Sequence, residues 1–155
     1  MTKDYFEQQS LLLADALYRV SAMLLRRTED QKDAVQSCML KAWGNRSKLR
    51  ETSKFRPWLM RILVNECHML LRKNRNMVLT DVPEQAIEPV NFALRETVEA
   101  LPLKLREVVA LYYMEGWPVE DVAHILQIPR GTVKSRLSRA RMILRNEWQD
   151  KEELA

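Results

Sequence analysis

Apolar side chains recur along this chain every third or fourth residue, and the spacing predicts one helix after another. Leu13, Ala16, Leu17, Val20 and Leu24 form the first such stripe, on a helix over about residues 8 to 27. The next four residues, Thr28-Glu29-Asp30-Gln31, read as a capping box, in which the hydroxyl and the amide satisfy free backbone donors of a second helix beginning near Glu29. That helix turns Val35, Cys38, Met39, Ala42 and Trp43 inward and is expected to stop near Gly44-Asn45. Residues 44 to 54 are polar, basic and irregular, which predicts a functional loop. Phe55 and Pro57 then open a third helix, with Leu59, Ile62, Leu63 and Leu70 as its core stripe, to about Arg75.

Periodicity lapses over residues 76 to 90, which hold two prolines and three acids and predict a flexible linker. Fifteen extended residues reach about 50 Å. Beyond it, Asn91 is placed to cap a fourth helix ending at Leu101. Pro102 opens a fifth that buries Leu105, Val108, Val109 and Tyr112 until Gly116 halts it, and Pro118 begins a short helix to about Gln127. The last helix is long and carries Val133, Leu137, Ala140 and Leu144 on one face. Val122, Ala123, Leu126, Ile128, Val133 and Leu137 are spaced as in a helix-turn-helix, with Ala123 small enough for close crossing. No stretch alternates apolar with polar residues, and there are only three Gly and six Pro. The fold class predicted is all-α: two small helical domains, 1–75 and 91–155, joined by the linker.

Composition adds little to this picture, whereas the distribution of charge changes it. With 46% hydrophobic and 30% charged residues the chain is an ordinary globular protein. Its formal charge of +4 conceals a strong asymmetry: residues 1–75 hold 15 cations and 8 acids, 76–121 hold 3 and 9, and 122–155 hold 7 and 4. Six cations and no acid lie between Pro129 and Arg145 (PRGTVKSRLSRARMILR), and they would repel one another without a polyanion alongside. Arg130, Thr132, Lys134, Ser135, Arg136 and Arg139 occupy the leading part of this helix, which in a helix-turn-helix enters the major groove. From Gly44 to Arg75 nine more cations face two acids, with Phe55 and Trp58 embedded among them. Two basic ends predict two contacts with a nucleic acid.

Other chemistries find little support. Cys38 and Cys67 read as small buried hydrophobes, and with His68 and His124 they lack the spacing of a zinc site, so neither metal nor cofactor is expected. There is no Gly-rich phosphate loop and no nucleophile with a base nearby in sequence, and no enzyme is predicted. No apolar run approaches the roughly 20 residues of a membrane span, and the N-terminus does not resemble a secretion signal. A cytoplasmic protein that does not insert into membranes is expected.

Two segments carry a resemblance that organises these readings. DAVQSCMLKAW (33–43), the basic loop and KFRPWLMRILVNECHMLLRKNR (54–75) together resemble the second conserved region of bacterial RNA polymerase sigma factors of the extracytoplasmic-function (ECF) type. LPLKLREVVALYYMEGWPVEDVAHILQIPRGTVKSRLSRARMILR (101–145) is similar to their fourth region. The resemblance implies that Asp33 and Gln36, with Met39 beside them, grip the clamp helices of the largest subunit of core RNA polymerase. An acidic residue usually follows the glutamine in this family, and here Ser37 stands in its place. It further implies that loop 44–54 and the front of the third helix capture an unstacked base of the promoter minus-10 element. Lys48, Arg50, Lys54, Arg56 and Arg61 would contact the backbone, and Asn65 would read a base. Trp58, at helical spacing from Ile62, reads as a core residue rather than a stacking platform. The last helix would read the minus-35 element, supported by Leu101 to Tyr113, with Trp117 packed between the helix pairs. An anti-sigma factor is implied as a partner, seated on apolar faces between the domains. Two other readings use part of the same pattern: a stand-alone helix-turn-helix regulator, and a helical adaptor that touches no DNA.

Overall fold

In the computed structural model, residues 1–74 and 92–154 are described, and they form helices and short turns. The expected linker 76–90 and the expected cap Asn91 lie outside the described residues. Helix α1 spans Lys3–Leu24, α2 Thr28–Gly44, α3 Phe55–Asn74, α4 Phe92–Glu99, α5 Leu103–Val109, α6 Val119–Leu126 and α7 Arg130–Leu154. The chain divides into two compact units, one built on α1 to α3 and the other carrying α4, α5 and α7.

In the first unit each of the three helices packs on the other two. Helix α1 begins about five residues before its apolar stripe predicts, because Thr2 caps it by accepting from the Tyr5 N–H at 3.2 Å. Phe6 and Ser10 extend the buried stripe of Leu13, Leu17, Val20 and Leu24 backward at helical spacing. The helix ends at Leu24, since Leu25 is extended and its N–H reaches Ser21 O at 2.8 Å. The expected capping box takes another form: α2 starts at Thr28 itself, and the Gln31 side-chain amide donates to Leu25 O at 2.9 Å. Val35, Cys38 and Ala42 of α2 are buried against Leu59, Leu63, Val64 and Cys67 of α3 in the core, while Met39 and Trp43 are half-buried.

One buried charge belongs to this core. The Glu66 carboxylate, on a residue only 7% exposed, is paired with Lys41 of α2. Burial, then the nearby Glu66 and then Cys67, push the Cys38 thiol up to about 12. Its Sγ lies 3.5 Å from Leu59 O, so the protonated thiol can serve as a weak donor there. Both cysteines are free and buried.

In the second unit α5 runs on into a π-helical turn, Ala110–Met114, and Gly116 with φ 76° ends it. Trp117 is buried and its N–H donates to Leu111 O at 2.9 Å. Helix α7 packs on α4 and α5 through Val133, Leu137 and Ala140, with Leu144 half-buried. The turn between α6 and α7 is tight: Gln127 takes the left-handed conformation (φ 58°, ψ 45°) and Ile128 N–H returns to Ala123 O at 3.1 Å. For a residue with a Cβ that conformation costs about 1 kcal/mol.

Candidate nucleic-acid interface

The leading half of α7 is organised by its buried stripe. At 100° per residue, Lys134, Ser135 and Arg139 stand on the face away from Val133, Leu137 and Ala140. Lys134, Ser135 and Arg139 are exposed, whereas Thr132 and Arg136 flank that face and are half-buried. Arg130 is on the opposite flank, where its Nη1 lies 3.3 Å from the Glu120 carboxylate of α6. Those side chains are 62% and 72% exposed, so water screens the pair and holds Arg130 only loosely. Ser135 donates its hydroxyl proton to Thr132 O at 3.0 Å, which leaves its oxygen free to accept. Arg141 is drawn aside: Nη1 reaches the Tyr113 hydroxyl at 2.7 Å. Ser138 and Met142, exposed on the same outward face, were not singled out by charge. Gly131 joins them, and a Cβ built there would meet nothing within 4 Å.

The first unit presents its cations around the connection between α2 and α3. Two 3₁₀ turns, Arg46–Lys48 and Thr52–Lys54, give loop 44–54 more regular structure than its composition predicts. Lys48, Arg50, Lys54 and Arg56 are exposed, Arg61 is half-exposed, and Asn65 is exposed one turn beyond Arg61. Lys54 lies 3.9 Å from Glu51, a loose contact between two exposed side chains. An aromatic cluster holds the loop at its base. Phe55 is buried, with Tyr5 at 6.1 Å and Phe6 at 5.6 Å meeting it edge to face. Trp58 leans on the same ring at 5.9 Å and is half-buried, as a core residue should be. The Tyr5 hydroxyl donates to Thr52 O at 3.1 Å, tying the loop to α1 across 47 residues.

A third surface faces outward from α2. Asp33 and Gln36 are exposed, and Leu40, 69% exposed, continues their stripe one turn further. Met39 lies at its edge, half-buried. Leu40 escaped the sequence reading although its signal was present, an apolar residue four positions after Gln36 on a polar face. Among the described residues, no group of His, Cys, Asp and Glu is gathered as a metal site would require, and no helix is long and apolar enough to cross a membrane.

Comparison with known proteins places both units. Residues 12–77 match the family model for Sigma-70 region 2, and residues 91–144 match that for Sigma-70, region 4. The ECF RNA polymerase sigma-E factor of Escherichia coli (strain K12) is 32% identical over 166 residues, covering 90% of this chain and 86% of that protein. The probable RNA polymerase sigma factor RfaY of Xanthomonas campestris pv. campestris is 34% identical over 148 residues. That match takes in 83% of this chain but only 37% of the longer RfaY. Among solved structures, the sigma factor RpoE in complex with the anti-sigma factor NepR from Bartonella quintana superposes with a TM-score of 0.82 at 30% identity. It covers 96% of this chain and 98% of that one.

Proposed function

Because the chain belongs to the ECF sigma factors of bacterial RNA polymerase, we propose that its two cationic surfaces act on DNA in two different forms. A sigma factor directs core polymerase to specific promoters and assists strand opening, and that is the function of this protein. The division of labour is our reading. The unit of residues 1–75 binds core polymerase and opens the minus-10 element, and the unit of residues 91–155 holds the minus-35 element. Lys134, Ser135 and Arg139 face the major groove of intact duplex, with Arg130, Thr132 and Arg136 reaching phosphates from the flanks. Lys48, Arg50, Lys54 and Arg56 neutralise the backbone of the separated strand, while Arg61 and Asn65 approach its bases. Asp33, Gln36 and Met39, joined by Leu40, dock on the clamp helices of the largest polymerase subunit. The chain contributes positioning and charge, no bond-breaking chemistry, and acts in the cytoplasm where the polymerase is.

The observation that carries this reading is the presence in one chain of a region 2 match and a region 4 match, each with its own cationic surface. A stand-alone regulator is not favoured, since it has no use for a region 2 unit. By analogy with RpoE, which was captured with NepR, an anti-sigma factor is proposed as a further partner. It would find uncovered apolar side chains at Leu11, Leu12 and Tyr18 of α1. The experiment is in-vitro transcription by core polymerase with and without this protein on a genomic fragment library. New start sites that depend on the protein support the reading, and their absence refutes it.

A further inference from the structure

Between α2 and α3 lies a feature that the roles above leave unused. The Arg46 guanidinium carbon sits 3.8 Å from the centroid of the Trp43 indole, and Nη1 donates to Trp43 O at 2.7 Å. A stack and a hydrogen bond together fix a side chain that is ordinarily among the most mobile. The indole beneath it is fixed in turn, because Phe6 meets it edge to face at 5.0 Å and Phe6 also contacts the buried Phe55. Closing the end of α2 does not require Arg46. Asn45 already covers that end, with its N–H and its side-chain amide both donating to Lys41 O, at 3.0 and 2.8 Å.

A guanidinium is planar and has two faces. Trp43 occupies one, and Arg46 is only half-buried, so the other is accessible. Ser47, Lys48 and Arg50, all exposed, follow within four residues. A fixed planar cation bordered by freer cations is the composition that binds single-stranded nucleic acid, where a base stacks on the plane and its phosphates meet the charges. Neither surface proposed for α7 has such a plane.

We infer that Arg46, held flat on Trp43, is a stacking site for one unpaired base of the promoter, with Lys48 and Arg50 on the adjoining phosphates. The inference rests on the sigma-factor reading and deepens its minus-10 site.

The test uses core polymerase reconstituted with the full chain, carrying either Arg46→Ala or Arg46→Lys. The DNA is a promoter recovered from the transcription experiment above, supplied both as duplex and with its minus-10 segment pre-opened by mismatches. Permanganate reactivity of unpaired thymines measures opening, and retention against competitor DNA measures grip on the pre-opened strand. Loss of one stacked base predicts a fall of about fivefold to a hundredfold in both, with Arg46→Lys no better than Arg46→Ala by more than about twofold, because lysine keeps the charge and lacks the plane. Thermal midpoints of the free proteins report whether either variant has lost its fold, and Arg46→Lys serves if Arg46→Ala has. Opening unchanged in a folded Arg46→Ala protein overturns the inference, as does full recovery by lysine. Should the unsubstituted chain direct no initiation at all, the failure lies in the sigma-factor reading itself.

Discussion

Gly131→Ala separates what α7 needs for folding from what it needs for DNA. Gly131 is the second residue of the helix, its backbone is outside the left-handed region, and an added Cβ meets nothing in the protein within 4 Å. Nothing inside the molecule therefore requires glycine there. Alanine is better than glycine by about 0.8–1 kcal/mol in a helix interior. Only part of this applies in a first turn, where Pro129 O accepts from Thr132 and Val133, so a gain of about 0.5 kcal/mol is expected. For a unit of this size that raises the melting midpoint by about 2–4 °C. The same methyl stands on the outward face beside Lys134 and Ser135, where the helix meets the groove. Displacing one good base contact costs about 1–3 kcal/mol, so holoenzyme affinity for duplex carrying the minus-35 element should drop about fivefold or more. Circular dichroism melting of the free protein and equilibrium binding of the holoenzyme report the two quantities. A variant that is stabilised yet binds duplex as well as the parent refutes the placement of this face in the groove. One that is destabilised refutes the statement that glycine has no intramolecular role.

Three further outcomes follow from other parts of the molecule. Ser10 Oγ is buried without a hydrogen-bond partner, so Ser10→Ala should leave stability in urea unchanged or raise it by up to about 1 kcal/mol; a clear loss would show a partner that the structure does not contain. The Cys38 thiol, raised to about 12 in the fold from an ordinary 9, keeps its proton while the unfolded chain loses its own. The stabilisation is therefore complete below about pH 9 and is lost as pH rises toward 12, by at most about 1.4 kcal/mol per pH unit. Denaturation series at pH 8 and 10.5 should show Cys38→Ala with the flatter dependence, and parallel curves would contradict the burial argument. Glu120→Gln removes the acid beside Arg130 and should strengthen non-specific duplex binding, steepening its salt dependence by up to about one unit in the log–log slope; an unchanged slope would mean that Arg130 never reaches phosphate.

The helices were legible in the sequence because their burial is one-sided. Stripes such as Leu13, Leu17, Val20 and Leu24 repeat at 3.6 residues, and the structure buries them as a set. Ends were less legible: α1 starts at Lys3 because a single threonine hydroxyl caps it, a signal of three residues that no stripe reinforces. The π-helical turn at Ala110–Met114 was invisible, since one extra residue per turn scarcely alters a short apolar pattern. The charge of both surfaces could be read from cation counts, but its disposition could not. Arg141 is drawn to Tyr113, Arg130 meets Glu120, and Glu66, which reads as a surface acid, is buried against Lys41. Each of these pairs joins residues on different helices, and only the tertiary fold brings them together. The Arg46–Trp43 stack is local yet equally hidden, because it depends on the chain turning out of α2 at Asn45.

The most direct measurement compares two charge-removed proteins on one promoter, presented to the holoenzyme as intact duplex and as a template already opened at minus-10. Lys48→Ala with Arg50→Ala should still hold the minus-35 duplex but expose few unpaired thymines on the intact template and grip the opened strand weakly. Lys134→Ala with Arg139→Ala should lose capture of the intact duplex and retain its grip on the opened one. Equal defects in both proteins on both templates would contradict the assignment of separated strand to one cationic surface and double helix to the other.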